Sequence, residues 1–396
     1  MQFQTLDDKS ECVGIYCDGE LFFNEDLPEA LSRTWSYAGF LGDKNIEYAQ
    51  LYCGGKSLEE VCPEVLRPRW EGVKKKYLAF LKSFQTSRVS LNKNCFYDLV
   101  PQKFLLEWCY VRDLICQHVF ENYERPHNYD YLLQLTKAME DIKYRRLNLK
   151  RNNLTLYRAK HRKFAKKLNQ ILPYCRFNIN GTKTGRLTTF KDSFPILTLD
   201  KELRCVMEPQ NDFFVELDFN AAELRTLLSL QGKKQPLEDM HAWNVKNVFN
   251  NKMTRDDAKK RIFAWLYNPE SQDHLCEHFY DRQGIMKKYY REGVVKTYFG
   301  KEIPSEPRTA LNYIIQSTCA ENVLRQMIKV SQLLEGSESF LAFPIHDSII
   351  IDLAVKDREK LPDLIKIFSE TELGTFKTNI SVGKNFGSLK KLEVKS

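Results

Sequence analysis

FFVELDFNAAELRTLLSL (213–230) decides the fold of this chain. Phe213 to Phe219 read as an apolar strand that ends on a carboxylate, Asp218. The run from Ala221 onward has the spacing of a helix opening directly behind it. A second acid, Asp347, sits at a comparable turn inside FLAFPIHDSIIIDL (340–353), between two further strand-like runs. Both carboxylates would be fixed by backbone at strand ends rather than by side-chain reach. Two acids so placed can hold two divalent ions roughly 3.5–4 Å apart, the arrangement that stabilises the attacking and leaving oxygens of phosphoryl transfer.

Working outward, TRDDAKKRIFAWLYN (254–268) begins with Thr254 as an N-cap and Asp257 three residues on. Arg255, Lys259, Phe263 and Tyr267 follow at steps of four, which makes one slowly wrapping stripe on a helix. Cations occupy its N-terminal end and aromatics its far end. A nucleoside triphosphate needs that order, with phosphates at the positive end and base and sugar against the rings.

The whole chain has 396 residues, 43% hydrophobic and 12% aromatic, enough for packed cores and more than one core usually serves. We expect two or three subdomains. No apolar run approaches the ~20 residues of a membrane span, and MQFQTLDDKSE at the start has no secretory pattern. Eleven cysteines lie scattered without CxxC spacing, which reads as reduced, mostly buried thiols. The net charge of +8 is uneven: Asp141 to Lys191 holds fifteen Lys or Arg against one acid. Tyr144, Asn152, Asn153, Tyr157 and Asn169 interleave there, as suits a groove that tracks a polyanion backbone.

Earlier in the chain, CVGIYCDGELFF (12–23) reads as a hairpin, because Asp-Gly between β-rich runs favours a type I′ turn. LPEALSRTWSYAGFL (27–41) and SLEEVCPEVLRPRWEGVKKKYLAFLKSF (57–84) look helical. So does most of 98–172, with breaks at Pro126 and Pro173.

The ordered strings TGRLTT (184–189), DFNAAELR (218–225), DMH (239–241), RDDAKKRIFAWLYN (255–268), RTALNYIIQST (308–318) and HDS (346–348) resemble the family A DNA polymerases, the bacterial DNA polymerase I type with phage relatives. The similarity runs from about residue 98 to VGKNFGSLKKL (382–392). It implies an α+β right-hand polymerase fold. The N-terminal segment would be 1–97, the thumb 98–180, the palm an antiparallel sheet from 181–232 and 305–396, and the fingers 233–304.

The resemblance also implies roles. Asp218, Asp347 and the Phe219 carbonyl would bind two Mg²⁺ ions, with Mn²⁺ as a substitute. Arg255, Lys259 and His241 would contact the triphosphate of a dNTP, Lys259 helping to protonate the leaving group. Glu223 would exclude ribonucleotides at the sugar, Phe263 would lie beside the incoming nucleotide, and Tyr267 would guard the template-base position. Phe at 263 implies poor acceptance of dideoxynucleotides. Thr184, Arg186, Arg308, Asn312, Gln316, His346, Lys163 and Lys166 would contact primer–template DNA.

Departures from the family pattern are Asn220-Ala221-Ala222 for Ser-Gln-Ile, Asn268 for Gly, Ser348 for Glu, and no Asn-Leu-Gln-Asn between Phe190 and Arg204. Glu223 and the 255–267 stripe argue against an RNA polymerase, and the motif order argues against a reverse transcriptase.

Larger members carry a 3′–5′ exonuclease that starts with Asp-x-Glu. Asp18-Gly19-Glu20 has that form, but about 95 residues are too few for that fold, and the hairpin already explains the Asp-Gly. The expectation is therefore a polymerase without proofreading in this chain. Residues 1–97 would be an exonuclease remnant or a docking module for a separate exonuclease, helicase-primase or processivity factor. We expect a monomer in the cytoplasm of a bacterium or phage-infected cell.

Overall fold

The computed structural model describes residues 1–42, 44–154 and 171–392. The chain forms two compact units, Met1–Tyr144 and Arg145–Ser396.

In the first unit, β1 (Gln4–Thr5), β2 (Gly14–Cys17) and β3 (Glu20–Phe23) form an antiparallel sheet in that order. Cys17 pairs with Glu20 across a two-residue turn, and Asp18 and Gly19 have φ of 49° and 89°. Two consecutive positive φ values are what a type I′ turn demands, so the Asp-Gly reading holds. The stretch 27–41 is not the expected helix. Arg33–Thr34 pairs in parallel with Glu47–Tyr48, and Gly39–Leu41 makes a single 3₁₀ turn. Leu31, Trp35, Ala38 and Leu41 are buried from a largely extended backbone, so their spacing imitated a helical face.

The long helices of this unit, besides two single-turn ones, are α1 (Arg67–Thr86), α2 (Gln102–Asn122) and α3 (Tyr129–Tyr144). Trp108 of α2 stacks on Trp70 and Tyr77 of α1, with ring centroids 5.4 and 4.6 Å apart. Leu105, Cys109, Val111, Ile115 and Val119 continue that buried face. α2 and α3 thus fall in the first compact unit, which ends at Tyr144. A second correction concerns the thiols. Cys12 and Cys95 form a disulfide with Cα atoms 5.5 Å apart, while the other nine cysteines are free.

The second unit is built on a five-stranded antiparallel sheet. Its strands are β4 (Phe213–Phe219), β5 (Phe340–Ile345), β6 (Ser348–Leu353), β7 (Thr378–Gly383) and β8 (Lys390–Lys391), in the order β5-β6-β4-β7-β8. β4 is central, and β6 (SIIIDL) is buried along its whole length. From β4 the chain turns into α4 (Ala222–Leu230), then α5 (Met240–Asn247), α6 (Arg255–Tyr267), α7 (His274–Tyr280) and α8 (Arg282–Tyr289). Trp265, Tyr280, Ile262, Met240 and Leu224 share one core with Ile314 and Ile315 of the long α9 (Pro307–Leu333). Pro307 starts α9 at a position where its missing N–H costs nothing. α10 (Leu361–Ser369) packs on α9.

Candidate active site

Three neighbouring strands put the acids together. Asp218 is in register with Ser348 of β6 and with Asn379 of β7. Asp347 occupies the tight turn between β5 and β6, where His346 takes φ 50°. The Phe219 N–H points to the Asp347 carbonyl at 3.5 Å, which ties the end of β4 to that turn. Asn379 Nδ2 donates to Asp218 Oδ2 at 3.1 Å. Glu216, two residues before Asp218, adds a third carboxylate to the same face of β4.

Burial, foremost, raises the pKa of both aspartates. Glu216 adds to the effect at Asp218, and Glu223 and Asp218 add to it at Asp347, against the opposing pull of Arg186. Their ionised forms are therefore short of positive charge. Hard oxygen donors at neighbouring strand ends fit Mg²⁺, which needs few protein ligands.

Behind β4, Ala221 takes a left-handed conformation (φ 52°), which swings the chain into α4 and sets Glu223 on its first turn. Glu223 is only 9% exposed. Arg186 donates to its Oε1 at 2.7 Å, and the Tyr267 hydroxyl donates to Oε2. The Tyr267 ring lies parallel to Phe263 at 5.9 Å and 5°, as steps of four on α6 dictate. Arg186 comes from a turn in which Gly185 has φ 78°, and Thr182 Oγ1 donates to the Arg186 carbonyl at 2.9 Å. Thr184 is buried in that turn. A Cβ at Gly185 would come within 3.1 Å of the Lys301 ammonium, the movable end of a flexible side chain, so it is the positive φ rather than space that asks for glycine here.

The cationic end of the stripe is also in place. Thr254 Oγ1 caps α6 by accepting from the Asp257 N–H at 3.2 Å. Arg255 and Lys259 are exposed, and Phe263 is half-buried. Arg255 does not stand free: its Nε and NH2 donate to the two Asp239 oxygens, each at 2.9 Å. Asp239 also caps α5, accepting from the His241 and Ala242 N–H groups. His241 is buried with its ring 6.0 Å from Phe263, and its Nδ1 has no partner among the described residues. Burial above all, with Arg255 and Lys259 adding, pushes its pKa down to about 4.

On α9, exposed Arg308 and half-buried Asn312 and Gln316 follow at steps of four, and Gln316 reaches the Tyr267 hydroxyl. His346 is exposed beside Asp347. Lys163 and Lys166 lie outside the described residues.

Sequence reading missed Asn379, Glu216, Lys301, the carboxylate bonded to Arg255, and the buried Arg225. Glu216 was detectable as the acid two before Asp218 on one strand face. Asn379 and Lys301 depend on segments far apart in the chain, whereas the Arg255 and Arg225 partners depend on how the loop after α4 folds back.

No family model matches the chain. Curated relatives are the DNA polymerases of Mycobacterium phage D29 (25% identical, 47% of this chain, 37% of the relative) and Mycobacterium phage L5 (24%, 47% and 36%). The thermostable DNA polymerase I of Thermus aquaticus is 23% identical over 49% of this chain and 29% of its own. The matched part thus spans about a third of these relatives' length. Among solved structures, the polymerase domain of Pol1 from M. smegmatis, in complex with DNA primer-template and dNTP, superposes with a TM-score of 0.59 at 12% identity. That match covers 73% of this chain and 77% of the domain. Sequence and fold therefore place the chain beside the family A DNA polymerases.

Proposed function

We propose that this chain is a template-directed DNA polymerase that adds dNTPs to a primer 3′-hydroxyl. One observation carries the reading. Asp218 and Asp347 meet at the end of a central strand, in a site whose other walls are the Glu223 clamp and the α6 stripe. The two aspartates and the Phe219 carbonyl would hold divalent ions, which when bound activate the 3′-hydroxyl and neutralise charge on the phosphates.

The remaining work is positioning by the chain itself. Lys259 and Arg255 would bind triphosphate oxygens at the positive end of α6, Lys259 being placed to give a proton to the departing pyrophosphate. His241, neutral at working pH, would donate an N–H there rather than a charge. Glu223, buried and doubly held, would press on the sugar where a ribonucleotide carries its 2′-hydroxyl. Phe263 would flank the incoming nucleotide, and Tyr267 would cover the template-base position. Arg186 and Thr184, with Arg308, Asn312, Gln316 and His346, would line the primer–template. Arg186 would meet the minor-groove acceptors that every correct pair presents.

In right-hand terms the sheet with α9 would be the palm and 233–304 the fingers. Residues 98–180 would be the thumb, with the basic run at their C-terminal end. We read residues 1–97 as an exonuclease remnant or docking module for a separate exonuclease, helicase-primase or processivity factor. Asp18 sits in a hairpin turn there, which supports the absence of proofreading chemistry. We place the protein as a monomer in the cytoplasm of a bacterium or phage-infected cell. No helix among the described residues is long and apolar enough to cross a membrane.

Primer extension with Mg²⁺ and dNTPs, comparing wild type with Asp347→Ala, tests the proposal. Extension in the wild type that is lost in the variant supports it. Salt-sensitive DNA binding without extension would refute it. Primer shortening that survives the substitution would place a nuclease in the first unit.

A further inference from the structure

Arg255, the first cation of the α6 stripe, is already neutralised, and what neutralises it is built to let go. Asp239 accepts five hydrogen bonds. Two come from Arg255, two from the His241 and Ala242 N–H groups at 3.1 and 2.9 Å, and one from Asn220 Nδ2 at 2.9 Å. Asn220 is 7% exposed and lies two residues beyond Asp218 at the end of β4. Its Oδ1 is held in turn by the Met240 N–H at 2.9 Å and by Arg225 NH2 at 3.2 Å. Arg225 is fully buried, and its hydrogen bonds run to the Asn220, Pro236 and Glu238 carbonyls and to side-chain amide oxygens. Its charge therefore finds its electrostatic partner in nearby Asp239. If Arg255 leaves, Asp239 keeps three neutral donors and a buried cation behind it.

We propose that Asn220 is a positioning residue which, by holding Asp239, lets Arg255 pass from that carboxylate to the triphosphate of an incoming nucleotide. The proposal rests on the polymerase reading for the identity of the triphosphate. Physically, a half-buried carboxylate such as Asp239 releases a bidentate guanidinium cheaply only when other donors already satisfy it. Asn220 supplies the one side-chain amide among those donors, and it also fixes the start of α5 relative to Asp218. Removing its Nδ2 makes Asp239 hold Arg255 more tightly, so triphosphate binding weakens while the aspartates and Lys259 stay in place.

The test is a double-mutant cycle in single-nucleotide incorporation, with kcat and KM for dNTP measured separately. Asn220→Ala should raise KM about tenfold, the effect of one hydrogen bond to a charged group. It should change kcat by less than about threefold. In an Arg255→Ala background the same change should move KM less than about twofold. Asn220→Asp keeps the shape and the acceptor for Met240 and Arg225 but removes the donor, so its KM should rise at least as far. An equal rise in both backgrounds, or a wild-type KM for Asn220→Asp, would overturn the proposal. Binding of inorganic tripolyphosphate, followed by calorimetry on the same four proteins, reads the coupling without primer or chemistry. If wild type extends no primer yet tripolyphosphate affinity shows the cycle, the polymerase reading falls and the Arg255 transfer stands. If neither shows coupling, the transfer falls.

Discussion

Tyr267→Phe isolates one hydroxyl in the wall of the site that Glu223 and Tyr267 form. The ring keeps its parallel contact with Phe263 at 5.9 Å, and what is lost is the hydroxyl, with its hydrogen bond to Glu223 Oε2 and its contact with Gln316. Burial, and then the Glu223 carboxylate, push the Tyr267 pKa far above its ordinary value, so the hydroxyl is a committed donor. A hydrogen bond to a carboxylate contributes about 1.5–3 kcal/mol where water is excluded. Tyr267 is 41% exposed, and water can replace part of that bond, which leaves about 1 kcal/mol. Arg186 continues to hold Oε1, so Glu223 stays in place but becomes easier to displace. On the proposed reading, a ribonucleotide would have to displace it and a deoxynucleotide would not. The substitution should therefore raise ribonucleotide kcat/KM roughly five- to tenfold and leave that for dNTP nearly unchanged. Competitive incorporation opposite a single template base, resolved on a sequencing gel, measures the ratio. Glu223→Ala should open the site further, and adding Tyr267→Phe to it should change nothing more. Discrimination that survives Tyr267→Phe while collapsing in Glu223→Ala would refute the idea that the hydroxyl braces the gate. An additive double variant would refute it as well.

Three further outcomes follow from the same geometry. Asp347→Asn should lower extension by roughly two or more orders of magnitude yet raise the melting temperature in divalent-free buffer at neutral pH. Its folded-state pKa lies above its unfolded value, so ionisation destabilises the fold above the folded pKa, and the difference should close as pH falls below the unfolded one. Thermal melts from pH 7 downward check this; a variant that melts lower at pH 7 contradicts it. Phe263→Tyr should increase dideoxynucleotide incorporation, seen as stronger termination in a primer-extension ladder. With its pKa near 4, His241 should leave no inflection near pH 6.5 in kcat/KM for dNTP, and His241→Gln should retain more activity than His241→Ala because it keeps an N–H donor.

Much of the site was legible because its chemistry is set by local sequence. A strand that ends on Asp218 with a helix behind it, and a stripe at steps of four, fix side-chain directions with no knowledge of the rest of the fold. The hairpin at Asp18-Gly19 was legible for the same reason, since the turn type demands those residues. Pairing across long separations was not legible. Asn379 reaches Asp218 only because β7 lies beside β4 in one register, and Lys301 meets Gly185 only through the folded unit. Misreadings arose where spacing was ambiguous. Residues 27–41 bury Leu31, Trp35 and Ala38 from an extended path, and α2 looks like a free amphipathic helix until Trp108 is seen stacked on Trp70 and Tyr77. The Cys12–Cys95 bond joins residues 83 apart and has no spacing signature.

The site's charges share one logic. Arg186 is tied to Glu223 and Arg255 to Asp239, whereas Asp218 and Asp347, at neighbouring strand ends, have raised pKa values and too little positive charge nearby. Untied arginines in a cleft would attract any polyanion, and binding would track ionic strength more than shape. Tied ones favour a ligand that can take over the guanidinium in bidentate fashion while the abandoned carboxylate stays satisfied. Asp239 meets that condition through the α5 N–H groups and Asn220, and Glu223 meets it on one side through the Tyr267 hydroxyl. The under-compensated aspartates do the opposite and favour hard cations. Selectivity for a metal-bound triphosphate would then reside in exchange between paired partners, which distinguishes this site from an open basic groove.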